Sequence, residues 1–93
     1  MEIETVSHKA LRGLIEDGSE RGVPEAARVR RMIAFLIAAE NEDDFRVPPN
    51  FGAHLLVGKR AGTWSLSVTR NWRMTFKVNE DGAIADLDLE DYH

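Results

Sequence analysis

The chain has 93 residues, a net charge of −4 and no cysteine. That length holds one domain, residues 1–93, with an adequate but not a large core. The composition excludes disulfides and thiolate metal ligands, argues against indiscriminate nucleic-acid binding, and contains no apolar run near the ~20 residues that cross a bilayer.

The start, Met1-Glu2-Ile3-Glu4-Thr5-Val6, lacks the basic opening and apolar run of a signal peptide, so the expected location is the cytoplasm. Ile3 and Val6 suit a short edge strand. Ser7 is the expected N-cap of a helix from about His8 to Asp17, with Leu11, Leu14 and Ile15 at helical spacing and Gly18 as the stop. Pro24 is the expected first residue of a second helix running to about Ala39. Its buried stripe is Val29, Met32, Ile33, Leu36 and Ile37. Arg28, Arg30 and Arg31 form either its solvated face or a contact for an anionic partner. Residues 41–52, with Pro48-Pro49, read as a connecting loop. A strand from Ala53 to Val57 and a glycine-bounded turn follow.

Next comes the clearest pattern in the chain. Trp64, Leu66 and Val68 alternate with Ser65, Ser67 and Thr69; then Trp72, Met74, Phe76 and Val78 alternate with Arg73, Thr75 and Lys77. Period-two alternation on both sides of a polar break predicts a β-hairpin with an aromatic core face and a polar open face. Glu80-Asp81-Gly82 signals another turn. A last strand from Ala83 to about Tyr92 would bury Ala85, Leu87 and Leu89. Two helices followed by consecutive strands on short connections predict an α+β fold: the two N-terminal helices packed on one face of an antiparallel sheet, with the other face open.

Charge is unevenly spread. Residues 51–79 contain no Asp or Glu but hold Lys59, Arg60, Arg70, Arg73 and Lys77, whereas residues 80–93 contain six acids and no Lys or Arg. Lys59, Arg60, Arg70 and Lys77 are therefore the candidate RNA-binding cations. The open sides of the strands gather His54, Arg73, Thr75, Lys77 and Tyr92, with Asp91 and His93 beside them. Imidazoles move protons near neutral pH, and arginine stabilises charge developing on phosphate. The inventory suits metal-independent RNA cleavage: a base takes the 2′-OH proton, that oxygen attacks the adjacent phosphorus, and an acid protonates the leaving 5′ oxygen. Each group also has a plainer role. Arg73, for instance, would pair with Asp88 or Glu90 across the sheet. Three histidines without clustered acids do not make a metal site, and no cofactor-binding motif is present.

The run from His54 to Val68, with Gly62-Thr63-Trp64-Ser65, then Asn71-Trp72-Arg73-Met74-Thr75-Phe76 and the closing Asp91-Tyr92-His93, resembles the HigB toxins of bacterial type II toxin–antitoxin systems, within the RelE/ParE superfamily. His8-Lys9-Ala10-Leu11 and the helix it opens are similar too, so the resemblance covers nearly the whole chain in order. It implies a ribosome-dependent endoribonuclease that cuts mRNA in the A site and is neutralised by a HigA-type helix-turn-helix antitoxin. Operator DNA would be reached only through that antitoxin, and neither a membrane nor a cofactor is implied. It also implies that His54, Asp91, Tyr92 and His93 carry cleavage: the histidines as base and acid in unassigned order, Asp91 orienting an imidazole, Tyr92 holding RNA. Arg73 is added from its strand position. Such toxins are usually basic; this chain is acidic and carries Val57 where relatives often have a cation. A slower enzyme is therefore expected. The alternatives are a ParE-like inhibitor of DNA gyrase with the same fold, and an inactive homologue that serves mainly as antitoxin partner and co-repressor.

Overall fold

A computed structural model describes residues 1–92. Helices α1 (Lys9–Asp17) and α2 (Ala26–Ala38) precede a sheet of four strands, β1 (His54–Leu55), β2 (Thr63–Ser67), β3 (Trp72–Val78) and β4 (Ile84–Asp91). The strands lie in sequence order, and each neighbouring pair is antiparallel. The α+β architecture expected from the order of elements is the one observed.

The hairpin alternation translates directly into packing. Trp64, Leu66, Val68, Met74 and Phe76 are buried on one face, where they meet Leu11 and Leu14 of α1 and Val29, Met32, Ile33 and Leu36 of α2. Each such side chain contributes about 1.5–3 kcal/mol by leaving water. Phe45 joins this core, completely buried, with its ring edge-on to Trp64 and Phe76 at centroid distances of 5.1 and 5.2 Å. It sits on a 3-10 turn, Glu42–Arg46, inside the segment read as a plain loop. The neighbouring acids are structural: Glu42 accepts the indole N–H of buried Trp64 at 2.8 Å, and Asp44 accepts the backbone N–H of Glu40 at 2.8 Å.

Several local expectations shift. His8, not Ser7, caps α1; its Nδ1 accepts the Leu11 N–H at 3.2 Å. Gly18 stops α1 in the left-handed region, as expected. Helix α2 starts at Ala26 rather than Pro24, because Glu25 adopts φ 48°, a left-handed turn that a helix cannot continue. Ile37 is 55 % exposed, beyond the edge of the stripe that meets the sheet. Strand β1 is only two residues long. Arg28 is not on a solvated face: its guanidinium lies 5.1 Å from the Phe51 ring centre and donates to the Ser67 carbonyl at 3.2 Å. Arg30 pairs with Glu20 at 3.1 Å.

The largest departure lies in β4. Thr75 pairs with Asp88 but Lys77 pairs with Ala85, so β4 holds one residue more than β3 between these pairs. Asp86 absorbs the bulge at φ 56°. The extra residue switches the faces. Ile84 and Leu87 are fully buried, while Ala85, expected in the core, pairs with Lys77 on the opposite side. The N-terminal segment follows this kink as the expected edge, in parallel bridges Ile3 to Ile84 and Val6 to Leu87, and the Thr5 hydroxyl accepts the Asp86 N–H at 2.8 Å.

Candidate active site

Strand register places His54, Arg73, Thr75 and Lys77 on the sheet face away from the helices. His54, Ser65, Thr75 and Asp88 form one cross-strand row; Ser67, Arg73 and Glu90 form the next. Tyr92 follows two residues after Glu90, on the same side by strand alternation.

His54 is exposed at the end of β1, with Nδ1 3.1 Å from the Gly52 carbonyl oxygen. A carbonyl only accepts, so Nδ1 carries the hydrogen and, in a neutral ring, Nε2 is the nitrogen that accepts a proton. On β3, Arg73 has its guanidinium carbon 4.3 Å from the Tyr92 ring centre. Its Nη1 donates to the carbonyls of Thr69 at 2.6 Å and Trp72 at 3.2 Å. The β2–β3 turn and a stacked aromatic ring therefore fix this cation; it does not pair with Asp88 or Glu90. The Tyr92 backbone N–H donates to Asn71 at 2.6 Å, which holds the ring over Arg73.

Asp91 pairs with Trp72 and so falls on the helix-side parity of β4, opposite to Tyr92. His93 lies outside the described residues. Strand β1 stands three strand spacings from β4, roughly 14 Å. His54 and the end of β4 therefore do not touch.

Between them the open face is roofed. Arg60, from the turn after β1, crosses β2 and β3 to Glu90, with Nη1 to Oε1 at 2.8 Å and Nη2 to Oε2 at 2.6 Å. The Thr75 hydroxyl donates to the same Oε2. Thr63, Ser65 and Thr75 are consequently buried although they sit on the polar face. A cleft of about 220 Å³ opens here, lined by Lys59, Arg60 and Lys77 opposite Asp86, Asp88 and Glu90. Arg70 is exposed on the β2–β3 turn, outside that cleft.

Among the described residues no three acidic or histidine side chains converge to hold a metal ion, and no helix is long and apolar enough to cross a membrane. Residues 4–93 match the family model described as RelE-like toxin of type II toxin-antitoxin system HigB. The chain belongs to the HigB toxin family. It is also 38 % identical over 94 residues to the endoribonuclease HigB of Proteus vulgaris, an alignment covering 98 % of this chain and 99 % of that protein.

In this HigB-family toxin, Glu90 is the group that sequence reasoning overlooked. Its parity beside Arg73 was visible, but its true partner comes from a turn 30 residues away, and no period-two pattern reports that. The Arg60 bond holds the Glu90 carboxyl below its ordinary value of 4.5, against the opposing effect of burial. A depressed carboxyl contributes stability above its unfolded pKa and loses it as pH falls through its folded pKa. Replacing Glu90 by Gln should therefore cost about 0.5–1 kcal/mol at pH 7, as for partly exposed pairs, and less at about pH 3. Urea unfolding of both proteins at the two pH values checks this.

Proposed function

We propose that this toxin cuts mRNA in the A site of translating ribosomes, by acid–base chemistry, in the cytoplasm, and that a HigA-type antitoxin neutralises it. Endoribonuclease activity itself follows from the family and from the Proteus relative. The observation that carries the finer reading is the stacked Arg73–Tyr92 pair on the same sheet face as His54, whose Nδ1 is engaged by Gly52.

His54 acts as the base: with Nδ1 donating to Gly52, Nε2 takes the 2′-OH proton, and the oxygen attacks the neighbouring phosphorus. Arg73, already desolvated on one side by Tyr92, meets the charge that develops on the phosphorane oxygens. Tyr92 offers a face on which a base stacks. His93 protonates the leaving 5′ oxygen, with Asp91 orienting an imidazole. Lys59, Arg60, Arg70 and Lys77 hold the RNA backbone.

The deciding experiment adds purified toxin to ribosomes programmed with a defined message, with the same message free in solution as control. Cuts aligned with the A-site codon, and absent from free RNA, are expected. Equal cutting of free RNA would remove the ribosome from the reading, and gyrase inhibition without cuts would replace it.

A further inference from the structure

Glu90 occupies a position that an RNA-binding face has no evident use for. Its carboxylate sits among the cations that the open face offers to RNA, and it takes up both forked donors of one of them. We propose that Glu90 is the chain's own occupant of an RNA-phosphate site, and that RNA gains Arg60 only by exchanging the Glu90 carboxylate for a phosphate. The inference rests on the reading of the open sheet face as the RNA face.

The geometry is that of an anion site. Arg60 meets Glu90 through two parallel bonds of 2.8 and 2.6 Å, the arrangement a guanidinium makes with carboxylate and phosphate alike. The Thr75 hydroxyl supplies a third donor to the same carboxylate, and Lys59 and Lys77 line the same cleft. The Arg60 fork is therefore preset for an oxyanion, with Lys59 and Lys77 in the same cleft as Asp86 and Asp88.

The two partners differ in mobility. Glu90 belongs to β4 and is held by Thr75 on the neighbouring strand. Arg60 ends a three-residue 3-10 turn, and its side chain is half exposed. Arg60 is therefore the partner that moves. Exposed ion pairs are worth little net free energy, so trading one oxyanion for another runs near balance. What opposes RNA is the carboxylate left behind, unpaired beside an incoming phosphate. Glu90 pairs in register with Arg73, so the exchange takes place one step from the group proposed to stabilise the phosphorane. The acidic last strand then acts as a brake on RNA binding, which gives the chain's net charge of −4 a physical consequence.

The test measures binding of a labelled single-stranded oligoribonucleotide at low salt by fluorescence anisotropy. Glu90→Gln keeps the side chain's shape and an acceptor for Thr75, so the fold is retained, as thermal melting checks. It is expected to bind roughly three- to tenfold tighter than the parent, with a steeper salt dependence because Arg60 now engages a phosphate. In an Arg60→Ala background the same substitution should give little gain. Asp88→Asn removes an equal charge from the same cleft without breaking the fork, and its smaller gain should depend on Arg60 far less than that of Glu90→Gln. No tightening by Glu90→Gln, no binding by either protein, or an equal gain with and without Arg60 overturns the exchange. Cleavage of programmed messages, followed in parallel, separates two failures. Cutting without a Glu90 effect on binding overturns the exchange alone. Glu90-dependent binding without cutting overturns the ribonuclease reading and leaves the exchange standing.

Discussion

Replacing His54 by alanine is expected to lower cleavage of ribosome-bound mRNA by about 100- to 10,000-fold, the range that one positioned proton-transfer group supplies. Stability should hardly change. His54 is exposed, and among the described residues its ring hydrogen-bonds the Gly52 carbonyl, at the end of a two-residue strand. Surface substitutions of this kind stay within about 0.5 kcal/mol. The measurement is the rate of A-site cutting on programmed ribosomes at saturating toxin, with urea unfolding of the same preparation beside it. A folded variant with parental activity would remove His54 from the mechanism and, with it, the assignment of the base.

The largest expected loss of stability comes from Phe45→Ala. Phe45 is fully buried and fills the space between Trp64 and Phe76, against both of which its ring stands edge-on. Deleting it removes the transfer free energy of the ring and leaves a cavity that two large aromatics cannot close, a cost of about 3–5 kcal/mol. Domains of this kind have about 5–15 kcal/mol in all, so the variant should be marginal at 37 °C. Urea midpoints give the number. Phe45→Leu, which keeps most of the volume, should fall between parent and alanine. A loss below about 1 kcal/mol, near the level of surface substitutions, would mean that the 3-10 turn is not part of the core.

These two residues show what a linear reading catches. The place of His54 on the open sheet face was legible through the parity of the strands beside it, and its part in cleavage is proposed from a run resembling a known family. Phe45 was not legible. It is one aromatic in an acidic segment with no period, and such a residue carries no signal of which cavity it fills. Arg28 misled for the opposite reason. It fits the polar side of an amphipathic helix, yet it leaves that side to reach Phe51 and the Ser67 carbonyl. Ala85 was placed in the core because strict alternation was carried through β4, and one inserted residue at Asp86 reversed it.

The aromatic core face of the hairpin, the order of helices and strands, the α+β architecture and the HigB-type character of the chain are all written in the order of its residues. These depend on period and on the local order of residues, which short-range sterics and hydrophobic burial convert directly into structure. Which open-face groups meet is settled by the folded sheet. Arg73 is held by turn carbonyls and Tyr92 instead of by the acids across from it, and Arg60 spans two strands to reach Glu90. Such pairings depend on turn direction, side-chain reach and a bulge-shifted register, and these become definite only once the sheet has closed.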